Sequence, residues 1–515
     1  MGHIRDEIET DRAGLAARLR PRDDALVAEV GDPGDPGAAA PEGEASFDAA
    51  SGPFESYRRT VRWTTDASEG GVDDRAGVHV VQEVQWRLAF PYWRWLYAPM
   101  VRRNLGRGIP PGTRPWWSFP DRLDPRQSRV VATMALFNLV AGLLFSVLTQ
   151  VLTFADADIG TGSRSQQATI LALVRIGAVV TFVALALADR VGRRRIALWS
   201  FGVAIALTLA SAAVPGLGWL TVLQMLSRNL AVAGLLAVDT ISVEELPAGS
   251  RAQATGLGAL AYGLGAGIPI LALPLADVGP AGWRLVFLTA LLCVPLLISG
   301  ARNLPESNRY LRMAEGTAPP ERRRIRGLRF LLLAAVFLLL NLFVAPASQL
   351  QNDYLRTERG YSGAMITAIL VLTSTPGAIG VMLGGRLADR RGRRITLIPG
   401  LFSVGVFNAI FFLVAGAAMW LASLGGAVLG ALCVAPLGVL APELFPTARR
   451  GGARGALNLI AVVGSVVGLL SAGALVDALG YGPAFALLAI GPVVAAGLAF
   501  AAPETRGREL EDINR

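Results

Sequence analysis

The 515-residue chain contains no lysine, so all 48 of its basic residues are arginine. It has two cysteines, Cys293 and Cys433, and two histidines, His3 and His79. Cysteines this few and this far apart make neither a disulfide framework nor a metal cluster, and read as small buried hydrophobes. Both histidines fall in the N-terminal region, which leaves no credible catalytic triad. No nucleotide-binding loop or metal cluster is present either, so no enzymatic activity and no metal or organic cofactor are expected. Charge is also short: 17% of residues are charged, against about 25% in an average soluble domain. A net charge of +9 could suggest nucleic acid in a soluble protein. Here the arginines that follow the first apolar run gather in short loops, as on the cytoplasmic face of a membrane protein, so no nucleic-acid partner is expected. Residues 1–50 have no apolar core, so no signal peptide is expected.

What is abundant is apolar sequence, 53% of the chain, with a mean hydropathy of +0.47. Apolar segments run over 129–153, 167–187, 195–214, 218–241, 254–276, 283–301, 328–350, 363–386, 395–416, 418–441, 455–476 and 482–501. Each holds roughly 20 residues, enough for a helix to cross about 30 Å of hydrocarbon. In lipid the backbone has no other partner, so these are predicted helices. The even-numbered loops carry Arg190 and Arg193 to Arg195, Arg251, Arg302 to Arg329, Arg390 to Arg394, and Arg449, Arg450 and Arg454. The odd-numbered loops carry Arg164, Arg284, Arg356 and Arg359. This asymmetry puts both termini in the cytoplasm, and the membrane expected for the protein is the plasma membrane.

The two halves repeat at an offset of about 200 residues, as duplicated transporter halves do. Ala188-Asp189-Arg190-Val191-Gly192-Arg193-Arg194 returns as Ala388-Asp389-Arg390-Arg391-Gly392-Arg393-Arg394. Glu244-Glu245-Leu246-Pro247 with Arg251 returns as Glu443-Leu444-Phe445-Pro446 with Arg450. Pro305-Glu306-Ser307 returns as Pro503-Glu504-Thr505. The prediction is an all-α membrane protein of twelve transmembrane helices in two pseudo-symmetric six-helix bundles, 128–301 and 328–502. A basic cytoplasmic linker at 302–327 joins them, and a tail at 503–515 follows. Such duplicated halves rock about a central site.

Gly385-x-x-x-Asp389-Arg390-x-Gly392-Arg393-Arg394 resembles the signature loop of the major facilitator superfamily. Its copy around Asp189 departs at Leu185, where a glycine is usual. Pro305-Glu306-Ser307-x-Arg309, Glu443-x-x-Pro446 and Pro503-Glu504-Thr505-Arg506-Gly507 are similar to the sugar-porter and metabolite-symporter branch. The resemblance covers residues 128–507. It implies a transporter with a cytoplasmic charge network that pairs when the inner side is closed: Asp189, Arg190, Arg193, Glu244, Glu245, Arg251, Asp389, Arg390, Arg393, Glu443 and Arg450. Purely topological arginines, holding loops inside, are the alternative. Gly263/Gly267 and Gly464/Gly468 are small-residue pairs that suit close helix packing.

Ionisable residues within the spans mark a pathway by default. Arg175 and Arg228 lie near mid-bilayer. Asp239 lies about 16 Å nearer the cytoplasm than Arg228 on nearly the same helix face, too far to pair with it. The resemblance implies a helix-1 aspartate facing Arg228, but Asn138 stands at that depth. It can hydrogen-bond Arg228 and cannot carry a proton. Asn341 and Thr375 offer neutral polar groups in the second half. The resemblance to sugar porters implies paired mid-depth glutamines on helix 7 and a tryptophan at the place of Gly438; both are missing, which argues against sugar. Two central arginines favour a small organic anion or metabolite, with the proton as a coupling ion through Asp239 or another acid. An exporter with a loosely apolar cavity and a membrane sensor that no longer transports are the other readings. The partners expected are the solute and the lipid bilayer, around a monomer.

Residues 1–50, rich in Gly, Pro, Ala, Asp and Glu, read as a disordered tail. Residues 51–127 are aromatic and arginine-rich. Trp86–Tyr97 suits a membrane-interface segment; a small folded cytoplasmic module with strands near Tyr57–Thr65 and Val78–Leu88 is the rival.

Overall fold

A computed structural model describes residues 2–31, 42–65, 77–109, 113–160, 170, 173–315, 327–361, 365, 368–369, 372–373, 375–446 and 449–508. The chain divides into two compact units, Met1–Thr133 and Met134–Arg515.

The first unit corrects the expectation of a disordered tail. It contains β1 (Gly2–Thr10), α1 (Arg12–Leu19), β2 (Ala28–Val30), β3 (Glu42–Ser51), β4 (Phe54–Thr65), β5 (Val78–Leu88) and α2 (Arg94–Arg107). The strands form one antiparallel sheet in the order β1-β5-β4-β3-β2, so the N-terminal strand pairs with the last one. Apolar residues are few in residues 1–50, but they fall where the sheet needs them. Leu15, Leu19, Ala45 and Phe47 pack with Val61, Val78 and Val80 in one core. Composition hid this because β1 gains its core only by pairing with β5, far along the chain, and β3 only by pairing with β4, which lies beyond residue 50. The stretch Gly31 to Pro36 lies almost wholly outside the described residues. Trp86 and Leu88 are buried in β5, whereas Trp95 is exposed, so Trp86–Tyr97 is not one continuous interfacial face.

A buried ion pair crosses this sheet. Arg59 donates from Nε to both carboxylate oxygens of Glu29, at 2.9 and 3.0 Å, and from Nη2 to Oε2 at 2.5 Å. Its remaining donors reach the carbonyls of Arg18 and Arg20, and its guanidinium lies 4.2 Å from the Phe47 ring centroid. Tyr57 donates its hydroxyl to Glu29 at 2.6 Å, and the Arg22 amide adds a bond of 2.8 Å. Burial pushes the Glu29 carboxyl up, but the hydrogen bonds and charge of Arg59, with Tyr57 and Arg22, outweigh it and hold the group below the usual glutamate range. A lowered folded-state pKa stabilises the fold above the unfolded value of about 4.3, and the contribution fades as pH falls through the lowered value. Tryptophan-monitored unfolding of the full chain should therefore lose more stability between pH 7 and pH 3 in the wild type than in Glu29→Gln. Equal losses would refute this.

The second unit is helical. Its elements are α3 (Pro125–Ile159, beginning in the first unit), α4 (Ala178–Val191), α5 (Arg193–Ala210), α6 (Leu217–Glu245), α7 (Arg251–Leu271), α8 (Trp283–Asn303), α9 (Asn308–Ala314), α10 (Gly327–Thr357), α11 (Gly377–Arg391), α12 (Arg393–Leu413), α13 (Gly416–Leu444), α14 (Arg450–Leu479) and α15 (Tyr481–Ala499). Among the described residues ten helices are long and apolar enough to cross a membrane. Two of the predicted spans, 167–187 and 363–386, are represented by α4 and α11, and the segments before them lie partly outside the described residues. The chain turns sharply at Gly192 and Gly392, with φ of +116° and +127°. These values suit glycine, and a Cβ there would crowd Glu306 and Glu504 respectively. Helix contact also relies on glycine. Gly464 and Gly468 lie against the backbone of α10 at Leu338 and Leu342, whereas Gly263 and Gly267 face open space and Gly265 makes the contact with α3 at Leu139.

Candidate functional site

At the arginine-rich end, each half presents the same construction. Glu306 accepts from the Arg194 amide at 3.2 Å, and Glu504 from the Arg393 and Arg394 amides at 2.9 and 3.1 Å. These glutamates cap the starts of α5 and α12, where free N–H groups attract a carboxylate. Behind the caps lie two buried acids. Glu244 pairs with Arg193 of its own half at 3.4 Å and with Arg450 of the other half. Glu443 pairs with Arg393 of its own half and with Arg251 of the other, both at 3.4 Å. Thr505 donates its hydroxyl to Glu443 at 2.5 Å.

Two aspartates cross between the halves in the same way. Asp189, at the end of α4, accepts from the Gly451 and Gly452 amides at 3.1 and 2.9 Å. Asp389, at the end of α11, accepts from the Ala252 and Gln253 amides at 3.2 and 2.8 Å. Each carboxylate sits on the N-terminus of a helix from the opposite half, at the positive end of its dipole. Asp189 and Asp389 also touch Arg193 and Arg393, at 3.4 and 2.9 Å. The structure thus brings Asp189, Arg193, Glu244, Arg251, Asp389, Arg393, Glu443 and Arg450 together. Arg190 and Arg390 are exposed at the helix ends, and Glu245 instead receives the amide and side chain of Asn308.

Toward the other end of the unit lies a cavity of about 590 Å³. Its lining includes Arg175, Arg228, Tyr262, Asn341, Gln349 and Asn458. The Arg228 guanidinium lies 3.5 Å from the Phe145 ring centroid, a cation–π contact that holds the charge without neutralising it. Arg175 has a buried Nη1 with no hydrogen-bond partner among the described residues. Asn341 donates to the Phe337 carbonyl on its own helix. Thr375 is exposed in the turn before α11 and is not among the lining residues.

Asn138 departs from expectation. It donates to the Met134 carbonyl at 3.0 Å and to Asp239 at 3.2 Å, not to Arg228. Arg228 is engaged at Phe145 instead, and Asp239 offers Asn138 a charged acceptor. Asp239 in turn pairs across the halves with Arg454 at 3.2 Å. Arg454 reads in sequence as one more loop arginine, because it follows Arg449 and Arg450, yet it lies buried in the first turns of α14. Glu306 and Glu504 had a visible signal, their repetition after proline. Phe145 and Tyr262 had none, since aromatic residues in a span look like packing.

Residues 331–514 match the family model of the Major Facilitator Superfamily. A Haemophilus influenzae protein named for metabolite transport is 25% identical over 393 residues, 72% of this chain and 93% of that protein. The glucose transporter GlcP of Staphylococcus epidermidis is 24% identical over 437 residues, 74% of this chain and 94% of its own. Among solved structures, the proton:xylose symporter XylE bound to 6-bromo-6-deoxy-D-glucose superposes with a TM-score of 0.63 at 17% identity, covering 75% of this chain and 98% of that one. In sequence the second half of the helical unit thus matches the Major Facilitator Superfamily, and in fold the chain resembles a solved sugar porter.

Proposed function

We propose that the chain is a secondary transporter that moves a small organic anion across the plasma membrane by alternating access. In this reading twelve helices span the bilayer and the arginine-rich end faces the cytoplasm. The observation that carries it is the pair of arginines, Arg175 and Arg228, on one cavity with no carboxylate among the described lining residues. Two guanidinium groups facing one low-dielectric space repel each other, and an anion between them relieves that cost. The paired acids and bases at the arginine-rich end support the second part of the reading. They join the halves on one side of the cavity, as a closed gate requires.

The test is uptake of labelled acetate, lactate, benzoate and succinate into proteoliposomes. A hydrogen bond to a charged group contributes about 1.5–3 kcal/mol, so Arg228→Ala should cut kcat/KM for the transported anion by about ten- to a hundred-fold. Normal transport by Arg228→Ala would overturn the anion reading. Equal transport of uncharged aromatic solutes by both forms would favour an exporter, for which the apolar wall at Val232, Val344, Ala345 and Val462 provides the surface.

A further inference from the structure

The internal repeat fails at two positions that face each other. Asp239 corresponds by the repeat to Gly438, and Arg454 to Thr255. In one half Asp239 and Arg454 make an ion pair. In the other, Gly438 lies close against the Thr255 methyl. The same contact is therefore built twice, once neutral and once charged. A tie that only held the halves together would work equally well from either version.

The charged version is half used. Asp239 reaches Arg454 through one nitrogen, Nη2. Arg454 is 7% exposed, and its Nη1 is buried with no hydrogen-bond partner among the described residues. A guanidinium presents two parallel N–H groups suited to both oxygens of one carboxylate, which this single contact leaves unmet. Beside it is a cavity of about 290 Å³, lined also by Leu236, Phe337, Leu437 and Asn458. Asn458, one helical turn beyond Arg454 on α14, also lines the cavity of Arg175 and Arg228. An anion leaving the arginine pair thus has a polar side chain on the way to a second guanidinium.

We propose that Arg454, with Asn458, is a second carboxylate-binding subsite, which Asp239 fills in the present state and a substrate carboxylate takes over on its way to the arginine-rich face. The inference rests on the anion reading above. Displaced, Asp239 keeps the Asn138 amide. Arg454 is the charged group that faces it among the described residues. A buried carboxylate left with one neutral donor takes up a proton, which arrives with the anion by way of the cavity of Arg175 and Arg228. The anion and one proton then occupy the pair that Asp239 and Arg454 made with each other, and both leave together.

The test uses whichever of acetate, lactate, benzoate and succinate the wild-type chain transports, bound at equilibrium to the full chain in detergent. Asp239→Asn removes the internal competitor and should lower Kd about tenfold, while abolishing the stimulation of uptake by a pH gradient. Arg454→Gln should raise Kd about tenfold. Asn458→Leu leaves the ion pair intact and should raise Kd at least threefold. If Asp239→Asn and Arg454→Gln both bind within twofold of wild type while Arg228→Ala still weakens binding, the pair is a structural tie and this inference falls alone. If the charge variants do not fold, an unchanged Kd in Asn458→Leu overturns it. Transport of none of the four anions overturns the anion reading and this inference with it.

Discussion

Arg450→Ala should leave the arginine-rich end of the helical unit open in most molecules. The guanidinium of Arg450 is fully buried and bonds Glu244 across the halves, with its other donors on the Pro442 and Phe445 carbonyls. Deleting it leaves a buried carboxylate with Arg193 and the Ser307 hydroxyl but without its partner from the other half. Removing one partner of a buried pair costs about 3–5 kcal/mol. Because the partners belong to different halves, that cost falls on the joined state and is relieved when water enters. A shift of about 5.5 kcal/mol inverts a population from 99:1 to 1:99, so even part of the cost moves the balance visibly. Spin labels at the exposed positions Arg195 and Arg391, one in each half, would report it. The interlabel distance should lengthen in the variant, and an unchanged distribution would deny Arg450 a closing role.

Arg59→Ala should have the largest effect on the first unit, again about 3–5 kcal/mol. The substitution leaves Glu29 fully buried without its counter-charge and frees the Arg18 and Arg20 carbonyls. It also removes the flat group stacked on Phe47. Replacing both partners, as Glu29→Leu with Arg59→Met, should recover most of the loss, since a well-packed apolar pair of similar volume is often no worse than the ion pair. Limited proteolysis and tryptophan fluorescence of the full chain would separate the two. A double variant as unstable as Arg59→Ala would show that the hydrogen bonds to the helix-end carbonyls matter more than the charges.

The helical unit was legible because lipid imposes a strong signal: long apolar runs, arginines sorted by side, and a repeated loop with its glycine turn. The joined acids and bases were legible too, since Glu244 and Glu443 recur at equivalent places beside Arg251 and Arg450. Partner choice was not. Nothing local distinguishes Arg454, which lies in a helix, from Arg449 just before it, and Asn138 chooses Asp239 over Arg228 for reasons of three-dimensional placement. The first unit was hardest to read. Its strands β4 and β5 fall where the rival reading placed them, but β1 and β3 carry few large apolar residues, and β1 meets β5 across most of the unit's length. Pairing at that separation leaves no periodic trace strong enough to outweigh a glycine- and proline-rich composition.

The aspartates that reach across the halves grip main chain rather than side chain. Asp189 holds the amides of Gly451 and Gly452, and Asp389 those of Ala252 and Gln253. A peptide N–H is supplied by every residue type except proline. The donating side of this clasp is therefore nearly indifferent to mutation by hydrogen-bonding capacity, while the accepting side depends on two carboxylates alone. Sequence drift at the starts of α7 and α14 can retune size and shape without unfastening the halves, whereas losing either aspartate removes two bonds at once.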